Sequence, residues 1–168
     1  LRQLLGGPEV PPTRALLCVP RGGMNDAFCQ IERCRVYAEA HGRTLLIDSR
    51  RSGLLLDFST FFSLRPTAHH VRTRVSDRLY EALRQLPCHP NPANGVGRNE
   101  GHYEAEYRNF VDSRTGQQLT FDFQVDHATP LLLHEQCGGG DISHGLLDRL
   151  VLAPPVRRTV ARALARLP

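Results

Sequence analysis

The stretch that decides the fold runs from Ala15 to Asp48 and reads ALLCVPRGGMNDAFCQIERCRVYAEAHGRTLLID. Ala15 to Val19 is an apolar run of the length of a buried strand. Pro20-Arg21-Gly22-Gly23-Met24 follows as a tight turn. A helical pattern starts at Asn25 or Asp26 and continues to His41, Gly42 stops it, and Thr44 to Ile47 forms a second apolar run. Strand, glycine turn, helix, strand is a βαβ unit, and such units build parallel sheets. Two adjacent glycines permit positive φ and let peptide N–H groups approach a ligand. Asn25 and Asp26 both suit an N-cap. The unsatisfied N–H groups of that helix end would face the turn, where an anion or a polar sugar group fits. Neither common phosphate loop is spelled out, because no third glycine opens the helix and no Gly-Lys-Ser/Thr follows. Read locally, the turn admits two roles: ligand contact, or a plain connection between strand and helix.

The 168 residues are enough for one domain with a real core. The chain lacks an initiator Met and stops at Leu167-Pro168 directly after an Arg-rich helical pattern, so both ends read as cut. The net charge is +4, and all 21 basic residues are Arg. They are scattered, apart from Arg157, Arg158, Arg162 and Arg166, and no aromatics interleave with that cluster as stacking platforms would. This argues against nucleic-acid binding. The five Cys (18, 29, 34, 88 and 137) include no CxxC pair. Cys18 falls on the first strand and Cys29 and Cys34 on the first helix, which suits buried thiols better than a disulfide framework. Neither a signal peptide nor a membrane span is visible, so a cytoplasmic location and no membrane partner are the expectation.

Taken in order, residues 1–12 read as a tail or linker and 13–168 as one domain. In the first helix Phe28, Ile31, Arg35 and Ala38, with Cys34 and Tyr37, form the sheet-facing stripe, and Glu32, Arg33 and Glu39 are expected on the wet side. Asp48 ends the second strand, placed for a ligand or for a salt bridge with Arg50 or Arg51. Leu54 to Leu64 reads as a short strand or helical turn that packs Phe58, Phe61 and Phe62 into the core. The pair His69-His70 would point to opposite faces of a strand, which disfavours a shared metal ion. Val75 to Leu86 is an amphipathic helix capped by Ser76 or Asp77, with Leu79, Ala82, Leu83 and Leu86 inward. Pro87 to Glu106 reads as a long loop, and Tyr107 to Asp126 as a hairpin with Leu119, Phe121 and Phe123 on a half-buried strand.

Leu131 to Leu133 is a further buried strand that runs into His134-Glu135-Gln136-Cys137 and the glycines Gly138 to Gly140. Two glycine turns that follow apolar strands would lie together on one edge of a parallel sheet, where α/β ligand clefts form. His134 and Glu135 could then bind sugar hydroxyls, or one could help deprotonate an acceptor; a purely structural turn is the other reading. Leu146 to Leu152 is expected as a short helix or turn. A last helix, Val156 to Leu167, would bury Val156, Val160, Ala163, Leu164 and Leu167, with Pro155 in its first turn.

Arg21-Gly22-Gly23-Met24-Asn25-Asp26, followed by a helix ending in Tyr37-Ala38-Glu39-Ala40-His41-Gly42-Arg43-Thr44-Leu45-Leu46-Ile47-Asp48, resembles the opening of the fucosyltransferase superfamily. The likeness is to bacterial nodulation-type fucosyltransferases and their α1,6-fucosyltransferase relatives. It covers about the first third of the chain, with Leu131 to Gly140 a looser match. The resemblance implies an α/β fold, a Rossmann-like and mostly parallel sheet flanked by helices, as the N-terminal half of a GT-B glycosyltransferase. It implies transfer of fucose from GDP-fucose to a glycan hydroxyl, with inversion and without a metal or other cofactor. It implies partners in the nucleotide sugar, the glycan acceptor and a C-terminal domain opening with a His-x-Arg strand. The residues it carries over are Gly22, Gly23, Met24 and Asn25, with Arg21 and Asp26 beside them, lining the cleft near donor sugar and phosphates. His134, Glu135 and Gly138 to Gly140 are secondary candidates, and no catalytic base is assigned. The rival reading is a non-catalytic sugar- or nucleotide-binding module using the same turns. A self-contained hydrolase or phosphatase is disfavoured: GxSxG is absent, and the Cys-x5-Arg spacing from Cys29 to Arg35 falls inside the first helical pattern rather than on a phosphate loop.

Overall fold

Apolar side chains on both faces of a strand require cover on both sides, and the short hydrophobic runs of this chain fold that way. The structure, a computed structural model, describes residues 9–52, 54–65, 70–90, 121–135 and 144–166. Strand β1 (Ala15–Cys18) leads into helix α1 (Met24–Ala40) and strand β2 (Thr44–Ile47), the expected βαβ unit. A single 3-10 turn at Phe58–Thr60 precedes β3 (Phe62–Leu64), and β4 (Val71–Arg72) precedes helix α2 (Asp77–Leu83). Then come β5 (Cys88–His89), β6 (Leu131–His134), α3 (His144–Leu147), β7 (Leu150–Leu152) and α4 (Pro154–Leu164).

Among the described residues the main sheet has five strands in the order β4-β2-β1-β6-β5, and every neighbouring pair runs parallel. The fold is α/β. The period-two alternation divides the core into two layers. Leu16 and Cys18 of β1, Leu45 and Ile47 of β2 and Leu132 of β6 meet Ile31, Cys34, Tyr37 and Ala38 of α1. Ala15, Leu17, Leu46, Leu131 and Leu133 meet Val75, Leu79 and Leu83 at and on α2. Ser76 caps α2, its hydroxyl accepting from Leu79 N–H at 3.0 Å.

Several expectations are corrected. Glu32 is 3% exposed rather than wet. Arg35 donates Nε to Glu32 Oε2 at 2.7 Å and Nη2 to Glu32 Oε1 at 2.8 Å. That bidentate pair satisfies the buried carboxylate, and Gly145 of α3 lies directly against it. The pairing with Glu32, first by hydrogen bonding, holds the Arg35 pKa above its ordinary value. Leu150 to Leu152 is a strand, not a helix or turn, because it pairs antiparallel with Phe62 to Leu64. Phe121 and Phe123 lie outside any strand, although Phe121 is fully buried. Cys88 and His89, read as loop, form an edge strand beside β6. The inner stripe of α4 is corrected too: Val160 is 40% and Leu164 60% exposed, and no residue of Pro154–Leu164 is buried.

Of the expected tail, residues 9–12 are described, and Glu9 accepts a hydrogen bond from the Ser76 hydroxyl. His69, the loop residues 91–106, the hairpin residues 107–120 and Leu167 lie outside the described residues. Cys18, Cys29, Cys34 and Cys88 are free thiols, the first three buried.

Candidate functional site

Arg21 and Glu135 stand 114 residues apart in sequence, yet they meet because β1 and β6 are parallel neighbours in register. Val19 N–H donates to His134 O at 2.8 Å, so the chain leaves both strands side by side. The carboxyl ends of two adjacent parallel strands, reached from distant parts of a chain, open onto the crevice where α/β folds take ligands.

The first turn is shaped by Gly22, whose φ of +88° falls where side chains are strained. Gly23 does not share this need: it is extended, at φ −73° and ψ 177°, and serves as the N-cap of α1. The expected cap at Asn25 or Asp26 is therefore shifted. Asp26 sits at the third helical position and its carboxylate accepts from Gly23 N–H at 3.1 Å. A negative charge there also suits the helix dipole. The first intrahelical bond runs from Ala27 N–H to Gly23 O at 2.9 Å. The N–H groups of Met24, Asn25 and Asp26 thus precede the ladder and point out of the helix end. Met24 and Asn25 are exposed, and Asp26 is half-buried.

Arg21 forms an ion pair with Glu135, both side chains half-buried. Arg21 Nε is buried without a hydrogen-bond partner among the described residues. Behind this pair lies Gln30, 3% exposed on the sheet-facing side of α1. Its Oε1 lies 2.7 Å from His134 Nε2, and its Nε2 donates to Arg21 O at 3.5 Å. An amide oxygen only accepts, so His134 donates from Nε2 and carries its proton there. His134 is 2% exposed, with Phe121 and Phe123 edge-on to its ring at centroid distances of 6.5 and 5.4 Å. Burial, with Arg33 nearby, pushes its pKa down to about 3.

The sequence candidates are thus distributed unevenly. Arg21, Gly22, Gly23, Met24, Asn25, Asp26 and Glu135 come together at the edge. His134 is linked to it through Gln30, and its ring does not face solvent. Gly138 to Gly140 lie outside the described residues. Asp48, 1% exposed, accepts from Arg51 N–H at 3.2 Å and Arg51 Nη1 at 2.7 Å, the structural alternative rather than an open ligand group. Gln30 escaped the sequence reading. Its signal was an amide on the core-facing stripe, between Ala27 and Cys34, where an apolar residue belongs.

Chemically, the edge offers outward N–H donors, a guanidinium and a carboxylate, a set suited to polar recognition. A cavity of about 240 Å³ runs along α1 from Cys29 to His41, with Phe123 in its wall, and among the described residues it is lined by none of Arg21 to Asp26. Among the described residues no cluster of His, Cys, Asp or Glu is placed to hold a metal ion. No described helix is long and apolar enough to cross a membrane.

No protein-family model matches the chain, and no curated protein matches it in sequence. Solved structures do. The fucosyltransferase NodZ from Bradyrhizobium aligns with 90% of this chain at TM-score 0.58 and 18% identity, over 56% of its own length. NodZ α-1,6-fucosyltransferase co-crystallised with GDP aligns with 90% of this chain at TM-score 0.59 and 20% identity, over 55% of its length. The same enzyme soaked with GDP-fucose aligns with 89% at TM-score 0.58 and 18% identity, over 54%. The chain therefore spans a little over half the length of these enzymes, and its fold is similar to that part of a fucosyltransferase.

Proposed function

We propose that this chain is the N-terminal, acceptor-side domain of a glycosyltransferase that moves fucose from GDP-fucose to a glycan hydroxyl. The observation that carries the reading is the meeting of the first glycine turn with the end of β6, through Arg21 and Glu135, in a chain folded like part of a fucosyltransferase. The outward N–H groups of Met24, Asn25 and Asp26, with Arg21 and Glu135, line the donor side of the cleft. A second domain of the same protein closes the cleft and supplies most of the nucleotide-sugar site. The reaction needs no metal: positive charge stabilises the departing GDP, and a general base takes the acceptor proton. His134 is not that base, because its ring is buried and its pKa lies near 3.

The same features favour a second reading, a non-catalytic sugar- or nucleotide-binding module. Glu135 is engaged by Arg21 and His134 by Gln30, which suits recognition better than proton transfer.

Titration calorimetry of GDP-fucose, GDP and GDP-mannose against the protein as its gene encodes it, with the 168-residue chain alongside, tests both. Binding by the gene-encoded protein that Gly23→Val or Asn25→Ala weakens supports the enzyme reading, as does fucose transfer to a glycan. Binding without hydrolysis or transfer favours the module. Absence of guanine-nucleotide binding refutes both forms of the donor assignment.

A further inference from the structure

We propose that Gln30 is the positioning residue of this crevice: its buried amide couples the end of β6 to the β1–α1 turn and so sets where Arg21 and Glu135 stand. The inference rests on the donor-site reading above and goes beyond it by naming a residue that touches no ligand.

A glutamine in a core is disfavoured unless both ends of its amide are satisfied. Here both ends are. Oε1 accepts from His134 Nε2 at 2.7 Å, and Nε2 donates to Arg21 O at 3.5 Å. The two partners belong to the two segments that form the crevice, and each immediately adjoins a member of the ion pair. Arg21 supplies the carbonyl and, through the same residue, the guanidinium. His134 supplies the ring and is followed by Glu135, the carboxylate. Gln30 is rigidly placed, since Ala27, Cys29, Ile31 and Cys34 around it on α1 are all buried. Gly22 and Gly23 carry no side chains and both are exposed, and the bonds that hold the turn, from Gly23 to Asp26 and Ala27, lie on its α1 side and leave the Arg21 side to Gln30. A turn of this kind needs an external tie to keep one conformation, and Gln30 is that tie.

The coupling also accounts for His134. A neutral ring with its proton on Nε2 is what Gln30 Oε1 requires, and burial keeps the ring neutral.

The experiment uses the gene-encoded protein and three variants. Gln30→Met keeps the side-chain length and removes both hydrogen bonds. Leu83→Ala, on α2 across the sheet, is a control that destabilises without touching the crevice. Glu135→Gln removes the charge of the ion pair directly. Titrations with GDP-fucose are run well below each thermal midpoint, and the His134 ring is followed by nitrogen-15 NMR.

The expected result is a loss of affinity of about tenfold in Gln30→Met, the size of one or two lost hydrogen bonds. Leu83→Ala should bind as the parent does, and Glu135→Gln should lose affinity as well. The parent His134 should show a neutral ring protonated on Nε2, and that preference should disappear in Gln30→Met. The proposal is overturned if Gln30→Met binds like the parent while melting earlier, since Gln30 is then only a core plug. A parent ring protonated on Nδ1 also overturns it. If the parent binds no GDP-fucose, the donor-site reading fails, and the positioning role fails with it. Binding by the parent with Gln30→Met unchanged overturns the positioning role alone.

Discussion

Acid should unfold this domain through His134, and the size of the effect follows from its burial. The ring has a pKa of about 3 when folded, against an ordinary value of 6.5. Between those values the unfolded chain binds a proton that the folded chain refuses. Stability is therefore fully present above pH 6.5 and falls as the pH drops toward 3. The slope for one such group approaches about 1.4 kcal/mol per pH unit, so moving from pH 6.5 to about pH 5 removes roughly 2 kcal/mol. That is a large share of the ~5–15 kcal/mol typical of a domain. Other groups titrate in the same window. His89 is also shifted down, by burial and by His127, and contributes with the same sign. The comparison must therefore be a difference. His134→Gln offers Gln30 Oε1 an N–H and does not titrate. Urea unfolding of parent and variant is measured at about pH 7.5 and about pH 5, with free energies from linear extrapolation. The parent should lose roughly 2 kcal/mol more than the variant on acidification. Parallel losses would refute the reasoning, because the ring would then be hydrated or already paired in a way that lets it charge.

Gly22→Ala should destabilise by about 1 kcal/mol through its positive φ, whereas Gly23→Ala should leave thermal stability nearly unchanged, its added Cβ meeting Asp26 Oδ2 at an ordinary 3.7 Å. Gly145→Ala drives a Cβ into Glu32 Oε1 and disturbs the Arg35 pair, so a loss of roughly 1–3 kcal/mol in urea unfolding is expected. Ser76→Ala should cost about 1 kcal/mol by removing the cap on Leu79 N–H. Leu164→Gln should stay within about 0.5 kcal/mol of the parent in the 168-residue chain, since the side chain is 60% exposed; a larger loss would mean that α4 is packed.

The βαβ unit was legible because its signals are local. Apolar runs of strand length, a glycine turn and a 3.6-residue stripe all lie within Ala15 to Asp48, and the structure places β1, α1 and β2 there. The cap of α2 was legible for the same reason, since Ser76 needs only its own next turn. The resemblance carried by Arg21 to Asp26 pointed to the fold that the solved fucosyltransferases share. Local signals failed where the partner is distant. Leu150 to Leu152 became a strand only because Phe62 to Leu64 lay beside it. Glu32 was buried only because Arg35 gripped it and α3 covered it. The stripe of α4 has helical spacing, but spacing reports which residues share a face and not whether anything covers that face.

Arg43 and the crevice make the same division. Gly42-Arg43-Thr44-Leu45 was visible as a pattern, yet only the fold shows Arg43 1% exposed, donating to the carbonyls of Ala15 at 3.3 Å, Thr129 at 3.0 Å and His127. By itself the sequence determined the α/β class, the parallel unit and the residues of the first turn, because strand length, helix period and glycine placement act within a few residues. The tertiary structure alone decided that β6 lies against β1, that Arg21 pairs with Glu135, and that Gln30 links them to His134. The Arg21–Glu135 and Gln30–His134 contacts span 114 and 104 residues of chain, and register between β1 and β6, which no local pattern encodes, is what brings them together.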